Sequence, residues 1–113
     1  ILDRAFEVIN AWGFEYSTVG FTWVKATKDK KGFFFGLGNW TRANAELCLI
    51  ATKGSIERKN ASVSQIIYEP IREHSRKPDI VRDKIIQLVG DLPRIELFAR
   101  QKTEGWDVWG NEV

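Results

Sequence analysis

Residues 16–25 read YSTVGFTWVK, and apolar and polar side chains alternate along this stretch. Val19, Phe21 and Trp23 fall on one face of an extended chain, whereas Thr18 and Thr22 fall on the other. A period of two residues with β-branched and aromatic side chains is typical of a β-strand. The stretch therefore predicts the strand around which the rest of the fold is arranged.

Two helices are predicted, one near the start of the chain and one in its C-terminal half. The first ends at Gly13, and the second begins at Pro78, which suits a first helical turn because the missing N–H costs nothing there. The second ends at Gly90. Their apolar stripes are Leu2, Ala5, Phe6 and Ile9 in the first helix and Val81, Ile85 and Leu88 in the second.

Four further strands are predicted, at residues 46–52, 63–68, 94–100 and 106–109. The continuous apolar run in 46–52 predicts a buried strand that contains Cys48 as a buried, inert thiol. In 94–100 the alternation predicts Ile95, Leu97 and Ala99 on one face and Glu96 and Phe98 on the other. Because helices and strands alternate, the class is α/β with a mixed or mostly parallel sheet.

The composition predicts one globular domain, residues 1–113, with 43% hydrophobic and 28% charged residues. A single cysteine and a single histidine exclude an internal disulfide, a thiolate cluster and a His-rich metal site. The formal charge of +2 identifies no partner. Neither a membrane span nor a signal peptide is predicted, so the expected location is the cytoplasm. The abrupt start at Ile1, inside a helix, favours an incomplete reading frame or a fragment.

The first candidate site is the basic segment His74-Ser75-Arg76-Lys77-Pro78, which leads into the second helix. Backbone N–H groups and the dipole at a helix N-terminus favour an anion, and nearby cations strengthen that preference. A carboxylate or phosphate site is one interpretation. The other is a solvated basic turn in which the proline only starts the helix.

The second candidate is Glu96, a carboxylate inside a predicted apolar strand. Open α/β sheets bind ligands at the carboxyl ends of their strands, where such a carboxylate can accept hydrogen bonds from a ribose diol. Alternatively, Glu96 lies on a solvated face and pairs with an arginine. No glycine-rich phosphate loop follows, which argues against a nicotinamide or flavin site.

The third candidate is the loop at residues 37–46, which contains a glycine, a tryptophan, two asparagines and an arginine before a predicted strand. Such a loop can form a pocket that stacks on a base and hydrogen-bonds its edge. The alternative is a plain loop with a packed tryptophan.

Taken in order, these segments resemble a family of adenine-N6 methyltransferases, which includes the catalytic subunit of the eukaryotic mRNA methyltransferase and many bacterial and phage DNA enzymes. The resemblance covers nearly the whole chain, and the ordered set of motifs carries it. The matching stretches are residues 11–14 (AWGF), 21–25 (FTWVK), 38–48 (GNWTRANAELC), 72–79 (REHSRKPD), 94–100 (RIELFAR) and 105–112 (GWDVWGNE).

The resemblance implies a Rossmann-like sheet with permuted motif order, incomplete at its N-terminus, and S-adenosylmethionine as cofactor. Lys77 would face the methionine end of the cofactor. Glu96 and Arg100 would address the ribose, and Asn111 and Glu112 would hold the ribose or adenine. The remaining expected cofactor residues, in the same motif as Lys77, are His74 and Ser75.

The resemblance also implies a nucleic-acid substrate, and DNA is expected rather than RNA because the motif wording is similar to that of bacterial and phage members. The residues expected to border the target adenine are Asn39, Trp40, Arg42, Asn44 and Glu46. The family's catalytic Asp-Pro-Pro-Trp motif is absent from these 113 residues, so no catalytic residue is assigned and the chain alone is expected to be inactive.

Two further expectations concern partners. The rival function, from another class, is a non-catalytic methyltransferase-like subunit that binds nucleic acid. Self-association is expected if truncation exposes apolar surface.

Overall fold

The computed structural model describes residues 2–38, 40–73 and 76–113, which form two helices and five strands. The elements in chain order are α1 (Leu2–Ala11), β1 (Glu15–Ala26), β2 (Ala45–Thr52), β3 (Ile66–Pro70), α2 (Ile80–Val89), β4 (Ile95–Leu97) and β5 (Asp107–Trp109). Both helices and all five strands predicted from the sequence are present. β3 starts three residues later than predicted, and β4 is shorter.

The strands form two sheets. In the larger sheet β1 lies between β2, which runs antiparallel to it, and β3, which runs parallel. In the smaller sheet β4 pairs with β5 in parallel. The predicted α/β class with a mixed sheet is therefore confirmed.

The core lies where α2 packs on the β1–β3 pair. Phe21 and Trp23 of β1 and Ile67 of β3 are at most 7% exposed. The Trp23 indole donates its Nε1–H to the backbone carbonyl of Glu69 at 2.8 Å, so the buried N–H is satisfied. The alternation at residues 16–25 correctly predicted the face that carries these aromatic rings. Against this cluster pack Val63, Ile71, Val81, Ile85 and Leu88, and three of these form the predicted stripe of α2.

The prediction that residues 46–52 form a buried strand was wrong in its burial. β2 is an edge strand of the larger sheet and contacts only β1 there among the described residues. Leu47 is 51% exposed, and Cys48 is exposed rather than buried. An apolar run reports which residues favour burial, but the position of a strand in its sheet decides how many of its faces are covered.

The strand predicted at 94–100 stops at Leu97 because Phe98 has a left-handed backbone, with φ of 58°. That conformation costs a bulky residue about 1–2 kcal/mol, so the surrounding structure must hold it. Phe98 is 72% exposed and packs edge to face on Trp109, with ring centroids 5.3 Å apart. Beyond it Ala99 is 2% exposed, so the predicted two-face alternation fails at the turn.

Candidate functional site

A cleft of about 630 Å³ lies between the start of α2 and the ends of β4 and β5. Because β4 and β5 are parallel, their carboxyl ends meet at one edge, which is where open α/β sheets bind ligands. Lys77 and Glu96, which come from separate sequence motifs, both line this cleft. Its charged lining consists of Glu73, Arg76, Lys77, Arg82, Glu96, Arg100 and Glu112.

Glu96 lies in the middle of β4 and is bound by an arginine that was not predicted from the sequence. Arg82 of α2 donates from Nε to Glu96 Oε1 at 2.9 Å. The alternative of pairing with an arginine is therefore realised. It is realised at the wall of a cleft, so the pairing does not remove Glu96 from a ligand's reach.

Arg100 and Glu112 join the ends of the two short strands. Arg100 Nε donates to Glu112 Oε2 at 3.2 Å, and both side chains line the cleft. The close approach depends on Gly110, since a Cβ there would lie 3.0 Å from the Ala99 carbonyl oxygen. Asn111 lies in the turn after β5, is exposed, and is not among the residues that line the cleft.

The basic turn before α2 is neutralised by its own carboxylates. Arg76 binds Glu73 at 3.1 Å and Asp79 at 3.3 Å, and the hydrogen bond from Arg76 lowers the pKa of Glu73. Lys77 differs from Arg76, because its side chain contacts a residue outside the turn. Arg76 is therefore paired with neighbours in sequence, whereas Lys77 pairs with a carboxylate from a distant part of the chain.

Lys77 connects the cleft to the start of β2. Its Nζ donates to Glu46 Oε2 at 2.8 Å, across 31 residues of sequence. The other oxygen of Glu46 lies 3.4 Å from Lys25 Nζ on β1. One residue expected at the cofactor thus contacts one expected at the target base.

Glu46 carries a perturbed pKa for reasons that oppose one another. Partial burial acts to raise the pKa of Glu46, but the hydrogen bond and charge of Lys77, together with Lys25, outweigh it. The net result is a pKa below the ordinary value of 4.5, so the ionised form is favoured in the folded chain.

The depressed pKa of Glu46 predicts a stability change on acidification. The contribution of its ionised form is fully present above about pH 4.5 and is lost as the pH falls through the lower pKa of the folded state. The Glu46→Gln variant should therefore be less stable than the parent near neutrality, by less than about 1 kcal/mol because the pair is partly exposed. The difference should shrink in acid.

Chemical unfolding at a series of pH values measures this dependence. Glu57→Gln is the matched control, because Glu57 is an exposed carboxylate in the loop after β2. An unchanged difference between parent and Glu46→Gln at low pH would show that the stability difference does not come from the ionised Glu46 carboxylate.

Backbone hydrogen bonds hold together the loop before β2. Phe34 N–H donates to the Lys25 carbonyl, and Gly36 N–H donates to the Ala43 carbonyl, both at 2.9 Å. Trp40 is 99% exposed, so the alternative of a packed tryptophan was wrong. The Arg42 guanidinium lies 5.6 Å from the centroid of the Phe35 ring.

Of the other expected base-side residues, Asn44 uses its backbone carbonyl to accept a hydrogen bond from Lys25 N–H at 2.9 Å. Three expected residues lie outside those that the structure describes: Asn39, His74 and Ser75. Three residues around these positions were not predicted from the sequence: Arg82, Lys25 and Phe35. Arg82 follows Asp79 by three residues, so a helical wheel could have placed the two side by side, but its contact with Glu96 is tertiary.

In residues 2–38, 40–73 and 76–113, no helix has the length and apolar character needed to cross a bilayer. The same residues contain no group of three or more potential His, Cys, Asp or Glu ligands for a metal ion.

These features define an α/β domain with a charged cleft at the carboxyl ends of two parallel strands, a ligand-binding arrangement of α/β proteins. The MT-A70 family profile matches residues 1–112. The chain therefore belongs to the MT-A70 family, and the resemblance inferred from the ordered motifs is confirmed.

Three relatives illustrate this membership. The chain is 38% identical over 105 residues to the Type II methyltransferase M.MunI of Mycoplasma sp, covering 91% of this chain and 42% of that protein. It is 33% identical to the N6-methyladenosine RNA methyltransferase MTA1 of Cryphonectria parasitica, covering 90% and 30%. Identity to the human N(6)-adenosine-methyltransferase catalytic subunit METTL3 is 30%, covering 95% and 19%. The chain thus spans less than half the length of these relatives.

Proposed function

We propose that this chain forms the cofactor-binding part of an S-adenosylmethionine-dependent methyltransferase that modifies N6 of adenine. The observation that carries the proposal is that Lys77 and Glu96 line one cleft, with Lys77 also bound to Glu46 at 2.8 Å. The proposed fold is the Rossmann-like sheet with permuted motif order that the family resemblance implies.

The cleft suits a small nucleoside cofactor in size and charge. A volume of about 630 Å³ lies within the range of about 300–1,000 Å³ for small-molecule sites. Lys77 supplies a cation for the carboxylate at the methionine end of S-adenosylmethionine. Glu96 supplies acceptor oxygens for the ribose hydroxyls, since a carboxylate has about four lone-pair sites and Arg82 occupies one.

Other residues complete the proposed cofactor site. Arg100 addresses the ribose beside Glu96, and Glu112, bound to Arg100, holds the ribose or adenine. Asn111 joins Glu112 in that role if its side chain turns toward the cleft when the cofactor binds. The same proposal includes the two residues that precede Lys77 in the motif, His74 and Ser75.

The cofactor supplies an electrophilic methyl group, and the chain's own residues position the two reactants. The amine lone pair of adenine is delocalised into the ring, so alignment of the amine with the methyl group matters more than proton transfer. The contact of Lys77 with Glu46, at the start of β2, supports a target-adenine pocket beside the cofactor cleft. The proposed border of the adenine pocket consists of Asn39, Trp40, Arg42, Asn44 and Glu46.

DNA is the proposed substrate, and the cytoplasm the proposed location. The sequences of the basic motif at residues 72–79 and of the segment 105–112 resemble those of bacterial and phage members. The 38% identity to a Mycoplasma relative, against 30% to the human one, supports the same assignment. A duplex substrate requires the target base to be flipped out of the stack.

The test measures binding and transfer separately. Calorimetric titration with S-adenosylmethionine tests the cleft in this chain, and incorporation of labelled methyl into adenine-containing DNA and RNA tests the complete protein that contains it. We expect the 113-residue chain to bind the cofactor and to transfer no methyl group, because the family's Asp-Pro-Pro-Trp motif is not among its residues. Methyl incorporation by the chain alone would overturn that expectation.

The same experiments separate this proposal from the rival function. A complete protein that binds nucleic acid but neither binds S-adenosylmethionine nor transfers its methyl group would be a non-catalytic subunit. Incorporation of labelled methyl into RNA and not into DNA would leave the enzyme assignment in place and overturn the assignment of DNA as the substrate.

Trp40 provides a prediction for the nucleic-acid side. Replacing it with alanine should weaken binding of a fluorescein-labelled, adenine-containing single strand about tenfold, since stacking on one aromatic ring contributes about 1–3 kcal/mol per base. Fluorescence anisotropy measures the affinity. Trp12→Ala is the matched control, because Trp12 is also exposed (55%) but lies at the end of α1. Equal affinities of Trp40→Ala and the parent would remove Trp40 from the pocket.

A further inference from the structure

Arg82 occupies a bridging position between the start of α2 and β4. Its Nε donates to Glu96 Oε1 at 2.9 Å, and its Nη1 donates to Asp79 Oδ1 at 3.2 Å. Only 18% of its side chain is exposed, so the guanidinium is held against the wall of the cleft. Two carboxylates from different elements therefore fix one planar group.

Folding stability alone does not account for this arrangement. The Glu96 side chain is 31% exposed and that of Asp79 is 51% exposed, and partly exposed ion pairs contribute little to stability. Asp79 is already neutralised by Arg76. The main effect of Arg82 is therefore to fix the orientation of the Glu96 carboxylate. The other oxygen of Glu96, Oε2, has no hydrogen bond within the part of the chain that the structure describes.

We propose that Arg82 is a positioning residue of the cofactor site, acting through Glu96. It holds Oε1 of the carboxylate so that Oε2 stays directed at the ligand, which saves the ordering of a flexible side chain when the ribose diol binds. This inference rests on the proposed function, because it assigns a task to Glu96 in that site. In this role Arg82 acts through Glu96 and need not contact the cofactor.

The geometry also explains why arginine, rather than lysine, suits the position. A guanidinium presents Nε and Nη1 in a fixed plane and can bind Glu96 and Asp79 at once, whereas an ammonium is a compact point charge. Arg82→Lys should therefore retain the charge and lose part of the orientation. Arg82→Met keeps an unbranched, largely apolar side chain but loses both the charge and the orientation.

The experiment compares two ligands by calorimetry on the full chain: S-adenosylmethionine, and an analogue that lacks the 2′- and 3′-hydroxyls of the ribose. Arg82→Met should bind S-adenosylmethionine about tenfold more weakly than the parent, the loss expected when a hydrogen bond to an ionised group is impaired. Its affinity for the analogue should match that of the parent. Arg82→Lys should lie between the two.

Lys84→Met is the matched control, since Lys84 is on α2 and does not line the cleft. It removes one positive charge from the same helix and should leave both affinities unchanged. If Arg82→Met bound both ligands more weakly by the same factor, the loss would reflect general folding and not the orientation of Glu96. That result would overturn the positioning role.

The outcomes also separate this inference from the function on which it rests. If the parent binds S-adenosylmethionine and Arg82→Met binds it equally well, the positioning role is wrong and the proposed function survives. If the parent does not bind S-adenosylmethionine, the cofactor assignment fails and the role of Arg82 fails with it.

Discussion

Replacing Lys77 with methionine should lower the affinity of the chain for S-adenosylmethionine by about a hundredfold. A charge-assisted hydrogen bond contributes about 1.5–3 kcal/mol. The loss of Lys77 also removes the cation that would screen the ligand carboxylate from the Glu46 carboxylate. Among the residues that the structure describes, Glu46 would keep only Lys25 as an ion-pair partner, with Nζ 3.4 Å away. The expected effect therefore lies at the upper end of the range.

Calorimetry on the variant and parent measures this loss, with Lys84→Met as the lysine-to-methionine control away from the cleft. A second variant, Glu46→Gln, removes the opposing carboxylate and should restore part of the affinity in the Lys77→Met background. Unchanged affinity in Lys77→Met would show that the cofactor carboxylate binds elsewhere.

The second large effect concerns the core. Ile67→Ala should lower the free energy of unfolding by about 3 kcal/mol, because truncation of a buried isoleucine loses transfer energy and leaves a cavity. Ile67 is 2% exposed and packs with Phe21 and Trp23. Urea unfolding followed by tryptophan fluorescence measures the change.

Ile66→Ala is the matched control for this prediction. Ile66 precedes Ile67 on β3 and is 51% exposed, since successive side chains of a strand point to opposite faces. Its truncation should cost well under about 1 kcal/mol, as is usual for exposed positions. Similar losses for the two variants would contradict the register of β3 on β1.

Local patterns predicted the elements more accurately than their burial. The alternation in β1 and the stripe of α2 are local signals, and both identified the residues that form the core. The burial of β2 depends on how many strands flank it, which no local pattern reports. Cys48 was therefore predicted as buried and is exposed. The left-handed turn at Phe98 was equally invisible, since a phenylalanine gives no sequence signal for that conformation.

The candidate site divides in the same way. The motifs at residues 72–79 and 94–100 pointed to Lys77 and Glu96, and the structure brings both to one cleft. The contacts of Arg82 with Glu96 and of Lys77 with Glu46 join residues 14 and 31 positions apart, so they arise only from tertiary packing. Which oxygen of a carboxylate remains available to a ligand is decided by those contacts.

The hydrogen bond between Lys77 and Glu46 has a thermodynamic consequence for the proposed enzyme. In that enzyme the Lys77 ammonium would serve both the cofactor and Glu46 at the start of β2. Binding of the cofactor would then change the cation available to Glu46, and binding of the target base would change the cation available to the cofactor. Such coupling is reciprocal: the factor by which donor binding changes the affinity for nucleic acid equals the factor by which nucleic acid changes the affinity for the donor. The cooperativity between the two substrates would then reside largely in a single side chain.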